Sequence, residues 1–114
     1  MKELKKYAEE ISTAQPSQLV DILVSMTSDY GEVCDLLLPV RHAKSKFWLE
    51  HKKIDSEKPL SDKTIEMMWM AEDDEKLNGL IQERMELYQK ALSRMMSNVK
   101  AILREKENEA RNLM

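Results

Sequence analysis

The side chains that could carry metal or nucleophilic chemistry are few and unsuitably spaced. His42 and His51 are nine residues apart, which places them on different faces of a helix. Cys34 is the single cysteine, so it can form neither an internal disulfide nor a four-ligand zinc site with those histidines. The sequence also lacks a phosphate-binding glycine loop, a nucleophile elbow and a Cys–His pair at motif spacing. We therefore expect no catalytic residue, no metal and no cofactor.

One short acidic motif resembles part of a known enzyme pattern. Glu32-Val33-Cys34-Asp35 is similar to the ExxD half of the pattern in all-α nucleotide pyrophosphohydrolases, whose carboxylates hold Mg²⁺ from facing helices. The EExxE half is missing, because Glu9 and Glu10 are followed by Ile11, Ser12 and Thr13. The resemblance implies a Mg²⁺-dependent nucleotide hydrolase as a remote alternative, and we predict that the protein is not an enzyme.

A run of basic and aromatic residues lies between residues 41 and 53. Such side chains can neutralise phosphates and stack on unpaired bases, so one interpretation is a surface for single-stranded nucleic acid or another partner. The interpretation that we favour is intramolecular. If the chain folds back at residues 53–61, Arg41 and Lys44 lie opposite Glu72–Glu75 and the charges cancel. The candidate patch consists of Arg41, Lys44, Lys46, Trp48, Lys52 and Lys53.

These residues are predicted to lie on helices. The chain of 114 residues has only two glycines and three prolines, too few for the turns of a β-sandwich or barrel. Its periodicity predicts a short N-terminal helix, a helix over about residues 16–52, and helices over about 62–74 and 76–110. We expect an all-α fold, a long antiparallel helical hairpin with a short N-terminal helix. We also expect one domain over residues 1–114, with a frayed charged tail over residues 105–114.

Particular residues set the predicted helix boundaries. Pro16 suits the first position of the second helix, and Pro39 predicts a kink near Asp35 without ending that helix. Ser61 is a suitable N-cap with Asp62 in the first turn of the next helix. A further break is predicted within residues 73–79.

Two apolar stripes with alternating spacings of four and three predict lengthwise helix packing. A two-helix hairpin covers each stripe on one side only, so we expect a homo-oligomeric bundle. The nine methionines favour adaptable interfaces, and at least one residue of 67–70 must face outward. The first stripe consists of Leu19, Leu23, Met26, Tyr30, Val33, Leu37 and Val40, and the candidate self-association seam on the last helix consists of Met85, Tyr88, Leu92, Met95, Val99 and Ile102.

Charge and hydropathy limit the compartment and the partners. The net charge of −3 argues against a general polyanion binder. The N-terminal residues lack the apolar core of a signal peptide, and no apolar segment approaches the length of a membrane span. We predict a cytoplasmic, non-enzymatic helical interaction or assembly protein, and a single-strand nucleic-acid accessory protein is the alternative. The layout of the helices resembles that of small phage-encoded accessory proteins, including recombination mediators that form helical oligomers on single strands.

Overall fold

The computed structural model describes residues 1–53, 60–72 and 79–112, and these segments contain four helices and no strand. The helices are α1 (Leu4–Thr13), α2 (Pro16–Lys53), α3 (Asp62–Met70) and α4 (Gly79–Asn112). The predicted fold class, an all-α helical hairpin with a short N-terminal helix, is confirmed. The oligomeric bundle stays a prediction.

The second and third helices begin where the sequence predicted, at Pro16 and directly after the N-cap Ser61. Gln15 caps α2: its N–H donates to the Gln18 side chain at 2.8 Å, and its carbonyl accepts from the Leu19 N–H at 3.0 Å. Pro16 therefore occupies the first helical position, where its missing N–H costs nothing. Ser61 caps α3, because its hydroxyl accepts from the Thr64 N–H at 3.2 Å.

Pro39 lies inside α2, which continues to Lys53 as predicted, while the kink itself stays a prediction. The third helix ends at Met70, earlier than the predicted 74, and a turn follows in which Glu72 N–H donates to the Trp69 carbonyl. Acidic residues oppose the negative end of a helix, and this explains why α3 does not continue into the acidic run. Most of the predicted loop, residues 54–59, and most of the predicted break, residues 73–78, lie outside the described residues.

The C-terminal part of α4 is helical to Asn112. Arg111 and Glu107 form the i,i+4 ion pair that their spacing predicts, with an N–O distance of 3.1 Å. Fraying of residues 105–114 stays a prediction, and residues 113–114 lie outside the described residues.

The chain divides into two compact units, and both long helices run through both of them. Unit 1 consists of Met1–Val33 and Tyr88–Met114, and unit 2 consists of Cys34–Leu87. The prediction of one domain over residues 1–114 stays a prediction.

Unit 1 has its core where α1, the first part of α2 and the last part of α4 meet. The first predicted stripe is confirmed there: Leu19 and Met26 are buried, and Leu23 and Tyr30 pack against the same cluster. The α4 stripe contributes to this core too, and α1 adds a fully buried tyrosine. The buried members of the cluster are Tyr7, Leu19, Met26, Leu92 and Val99.

Unit 2 contains the second part of α2, all of α3 and the start of α4. The buried apolar residues in its described part are Leu37 and Val40 from α2 and Ile65 and Trp69 from α3. Gly79 starts α4 where the end of α3 passes very close. A Cβ at Gly79 would lie 2.9 Å from the Met70 Cα and 2.6 Å from the Met70 Sδ, so only glycine fits without movement.

Candidate interaction surface

A chain of polar contacts in unit 2 runs from the core to the surface. The Trp69 indole N–H donates to the buried Gln82 side chain at 2.9 Å, and Gln82 in turn donates to Glu86 at 3.2 Å. Glu86 also accepts from the Arg41 guanidinium at 3.5 Å. Arg41, the first member of the predicted basic patch, is therefore paired within the chain.

Two lysines of the patch are also paired. Lys44 Nζ lies 3.1 Å from a Glu66 carboxylate oxygen and 5.8 Å from the centre of the Trp48 ring. Lys52 Nζ lies 2.9 Å from Asp62 Oδ1, and the Trp48 indole N–H donates to the same oxygen at 3.2 Å. The hydrogen bonds from Lys52 and then Trp48 lower the pKa of Asp62 below its usual value.

Three basic residues of the patch, Arg41, Lys44 and Lys52, are paired within the chain, and the partners found lie outside the predicted acidic run. Arg41 pairs with Glu86 and Lys44 pairs with Glu66, whereas Glu72, the described member of the acidic run, pairs with neither. The rest of that run, residues 73–75, lies outside the described residues, as does the side chain of Lys53. Among the described residues Lys46 has no acidic partner.

The aromatic residues of unit 2 pack on one another. Phe47 lies with its ring centre 3.9 Å from that of His51 and 5.5 Å from that of Trp69. His51 Nδ1 is 2.8 Å from the Phe47 carbonyl, which can only accept, so this nitrogen carries the hydrogen. The contact between Phe47 and Trp69 packs α2 against α3. Rings that pack internally in this way are less available to stack on nucleic-acid bases. Both tryptophans of the chain belong to unit 2, and all three tyrosines belong to unit 1.

Large apolar side chains are exposed mainly on unit 2. The most exposed of those described in unit 2 are Leu38 at 71%, Met67 at 66%, Leu49 at 62% and Leu87 at 61%. The prediction that one residue of 67–70 faces outward is confirmed by Met67. Sequence reasoning missed Leu38 and Leu49, although three consecutive leucines at 36–38 cannot all face one core. The exposed set in the described part of unit 2 is Leu36, Leu38, Leu49, Met67, Met68, Leu80 and Leu87.

The candidate self-association seam of α4 faces the interior of its own chain. Leu92 and Val99 are 0% exposed in the core of unit 1, so neither has surface left for a second copy in this conformation. The physical reason is that α1 and α2 together cover more of α4 than a two-helix hairpin would. The other seam residues are half-buried: Met85 in unit 2, and Tyr88, Met95 and Ile102 in unit 1.

A polar cluster in unit 1 fastens the N-terminal segment, and no sequence pattern indicated it. The Tyr7 hydroxyl donates to Asp29 Oδ2 at 2.5 Å and lies 3.0 Å from Ser25 Oγ. The Lys2 N–H donates to the same carboxylate at 3.1 Å, while the Tyr88 hydroxyl donates to the Lys2 carbonyl at 2.7 Å. Lys2, Asp29 and Tyr88 are far apart in sequence, so the periodicity of the sequence does not reveal that they meet.

Burial and hydrogen bonding shift three pKa values in this cluster. Burial first, and then the hydrogen bond to Asp29, raise the pKa of Tyr7 to about 12. Burial opposes the charged form of Asp29, but hydrogen bonds from Tyr7 and the Lys2 N–H outweigh it and lower the pKa of that carboxyl. Burial, together with the nearby charges of Asp29 and Glu32, raises the pKa of Tyr88.

In the part of the chain that the structure describes, no three His, Cys, Asp or Glu side chains are grouped to hold a metal ion. Glu32 and Asp35, the two acids of the ExxD motif, are both exposed. No helix within the described segments is both long and apolar enough to cross a membrane. Comparisons of the chain with protein-family models, with curated proteins and with solved structures found no match.

Proposed function

We propose that the protein is a non-enzymatic α-helical interaction protein that binds another protein through the exposed apolar side chains of unit 2. The observation that carries this proposal is the exposure of large apolar residues on all three helices of that unit. Burying one leucine side chain fully contributes about 1.5–3 kcal/mol, so a few such residues supply the free energy of a specific complex.

The polar groups of unit 2 support the same function. Arg41, Lys44 and Lys52 already have carboxylate partners, and Phe47 and Trp69 are engaged in internal packing. A surface for single-stranded nucleic acid needs cations and rings that are available to phosphates and bases. Exposed ion pairs are worth only about 0–1 kcal/mol each, so they weaken nucleic-acid binding without forbidding it.

Self-association remains part of the proposal, with a different surface from the predicted seam. The exposed leucines of unit 2, rather than Leu92 and Val99, would form the contact between copies. A cytoplasmic location is the compartment proposed for this activity, because the chain has a single cysteine and needs no disulfide.

The test compares two matched variants of the tagged full chain expressed in its native host. Leu38→Gln with Leu87→Gln removes two exposed leucines of unit 2, and Val20→Gln with Val24→Gln removes two exposed valines of unit 1 as the control. Glutamine keeps helix propensity, so circular dichroism should be unchanged in both. Light scattering behind a sizing column then measures the mass of each purified species against the 13.4 kDa monomer.

We expect wild type and the unit 1 variant to carry a second chain, either another copy or a stoichiometric partner, and the unit 2 variant to lose it. A wild-type chain that stays monomeric and alone at every concentration would contradict the proposal. The proposal would also be contradicted if the wild type and both variants all retained the second chain, because the unit 2 leucines would then not be needed for binding.

A further inference from the structure

We propose that the outer face of α4 in unit 1 binds the phosphate backbone of double-stranded nucleic acid without reading its sequence. This surface is separate from the exposed leucines of unit 2, so the inference goes beyond the proposed function and is tested independently of it.

Four exposed cations lie on one side of α4 within unit 1. At about 100° per residue they fall within an arc of about 120° around the helix, and about 21 Å of helix separates the first from the last. No acidic residue occurs between Glu86 and Glu105. The side chains that form this basic face of α4 are Lys90, Arg94, Lys100 and Arg104.

The charges of the basic face are not neutralised within the chain. None of its four cations has a carboxylate within ion-pair distance among residues 1–53, 60–72 and 79–112. Of the acids beyond its ends, Glu86 already accepts from two side chains of unit 2, and Glu107 pairs with Arg111. Glu105 is exposed, and its direction is about 100° around the helix from that of Arg104. The face therefore keeps its charge for a ligand, unlike the paired patch of unit 2.

The net charge of −3 does not oppose an anion at this face. Unit 1 carries equal numbers of basic and acidic residues, so the whole excess of acid falls in unit 2. Exposed charges more than about 8 Å away are largely screened at physiological ionic strength. The local charge of α4 therefore matters more for binding here than the net charge of the chain.

The other exposed residues of this stretch favour a nucleic-acid backbone over a protein. Serine and asparagine side chains donate hydrogen bonds to phosphate oxygens, as lysine and arginine do. A protein partner would instead need large apolar anchors, and the described part of α4 in unit 1 exposes none. Besides the cations, the exposed residues between positions 88 and 104 are Ser93, Ser97, Asn98 and Ala101.

A duplex suits this face better than a single strand. Single strands are held largely by stacking of their bases on aromatic rings. Between residues 88 and 104, all of which the structure describes, the one ring is that of Tyr88, which is half-buried and donates its hydroxyl to the Lys2 carbonyl. A duplex carries one negative charge per about 1.7 Å of its axis, so four cations spread over about 21 Å can each meet a phosphate.

The experiment measures how duplex binding depends on salt, with the full chain and a fluorescently labelled duplex of mixed sequence. Anisotropy titrations between about 50 and 200 mM salt give the slope of log K, the association constant, against log salt concentration. We expect a slope of about −3.6, because each of four neutralised phosphates contributes about −0.9.

Two pairs of substitutions on α4, made separately, test the face. Either pair should reduce the slope to about −1.8 and weaken binding at the lowest salt at least about tenfold, because two of the four phosphate contacts are lost. Circular dichroism should be unchanged, since glutamine keeps helix propensity. The pairs are Lys90→Gln with Arg94→Gln, and Lys100→Gln with Arg104→Gln.

The matched control removes the same charge from another element of unit 1. Lys5→Gln with Lys6→Gln changes two exposed lysines of α1 and should leave the slope and the affinity nearly unchanged. An equal loss in this control would overturn the inference, because net charge rather than this face would then govern binding.

Other results would also overturn it. One is a wild-type chain that does not bind the duplex, or binds it with a slope near zero. Displacement of the duplex by polyglutamate at equal charge concentration would assign the face to an acidic protein. Tighter binding of a single strand that survives both α4 substitutions would place nucleic-acid binding elsewhere on the chain. None of these results alters the mass of the species formed through unit 2, so the proposed function stands or fails separately.

Discussion

At the scale of single residues, the two glycines of the chain differ in what surrounds them. A Cβ at Gly31 meets nothing within 4 Å, whereas a Cβ at Gly79 meets backbone and side-chain atoms of Met70. We expect Gly79→Ala to lower the free energy of unfolding by about 1–3 kcal/mol through overpacking. Gly31→Ala, its matched control in a helix interior, should raise it by about 0.5–1 kcal/mol. Urea denaturation of both variants measures this, and a change of the same sign in both would contradict the packing of α3 on α4.

The hydrogen bond between Tyr7 and Asp29 predicts a dependence of stability on pH at both ends of the range. The pKa of Asp29 is below its usual 3.8 in the folded state, so its contribution is complete above that value and is lost as the pH falls through the folded pKa. The pKa of Tyr7 is raised from 10.0 to about 12, so its contribution is complete below pH 10 and is lost as the pH rises towards 12.

The variant Tyr7→Phe separates these contributions from those of all other groups. At neutral pH we expect it to reduce the free energy of unfolding by about 1–2 kcal/mol, because a partly buried hydrogen bond to a carboxylate is lost. The difference from wild type should shrink in acid, once Asp29 is protonated, and again in alkali, once Tyr7 ionises. Thermal unfolding across pH measures the difference, and a constant difference at all pH values would show that only packing was lost.

At the scale of elements, residue patterns predicted those features that depend on neighbours in sequence. Pro16 and Ser61 start their helices through local hydrogen bonds, and the stripe of Leu19 to Val40 identifies the buried face of α2. Features that depend on distant residues were not predicted. The partners of Arg41 and Lys44 come from α4 and α3, and their choice depends on how helices cross, which spacing does not determine.

The first helix is the element that depends most on the rest of the chain. It has ten residues, no side-chain N-cap hydrogen bond, no acidic residue in its first turn and no basic residue in its last. Isolated helices this short are marginal in water. We expect a peptide of residues 1–15 to show little helical circular dichroism, whereas a helix-promoting cosolvent should increase it. A peptide that is mostly helical in plain buffer would contradict the view that docking of Tyr7 stabilises α1.

At the scale of the whole molecule, α2 and α4 couple the unfolding of the two units. Because each long helix contributes to both cores, unfolding one unit removes helical support from the other. We expect Leu92→Ala in unit 1 and Ile65→Ala in unit 2 each to cost about 2–5 kcal/mol and each to lower a single shared midpoint in denaturant. A curve that splits into two transitions in either variant would show that the units unfold independently.

The distribution of the aromatic residues gives each unit its own optical signal without any attached dye. Light absorbed by tryptophan alone excites Trp48 and Trp69, both in unit 2, while the near-ultraviolet absorbance of the phenol rings comes from Tyr7, Tyr30 and Tyr88 in unit 1. Trp48 directly precedes the exposed Leu49 in the chain, so a protein bound at the exposed leucines of unit 2 should shift its emission. Ionisation of a phenol would instead appear in absorbance at alkaline pH. In the native chain, tryptophan emission therefore reports binding in unit 2, and tyrosine absorbance reports titration in unit 1.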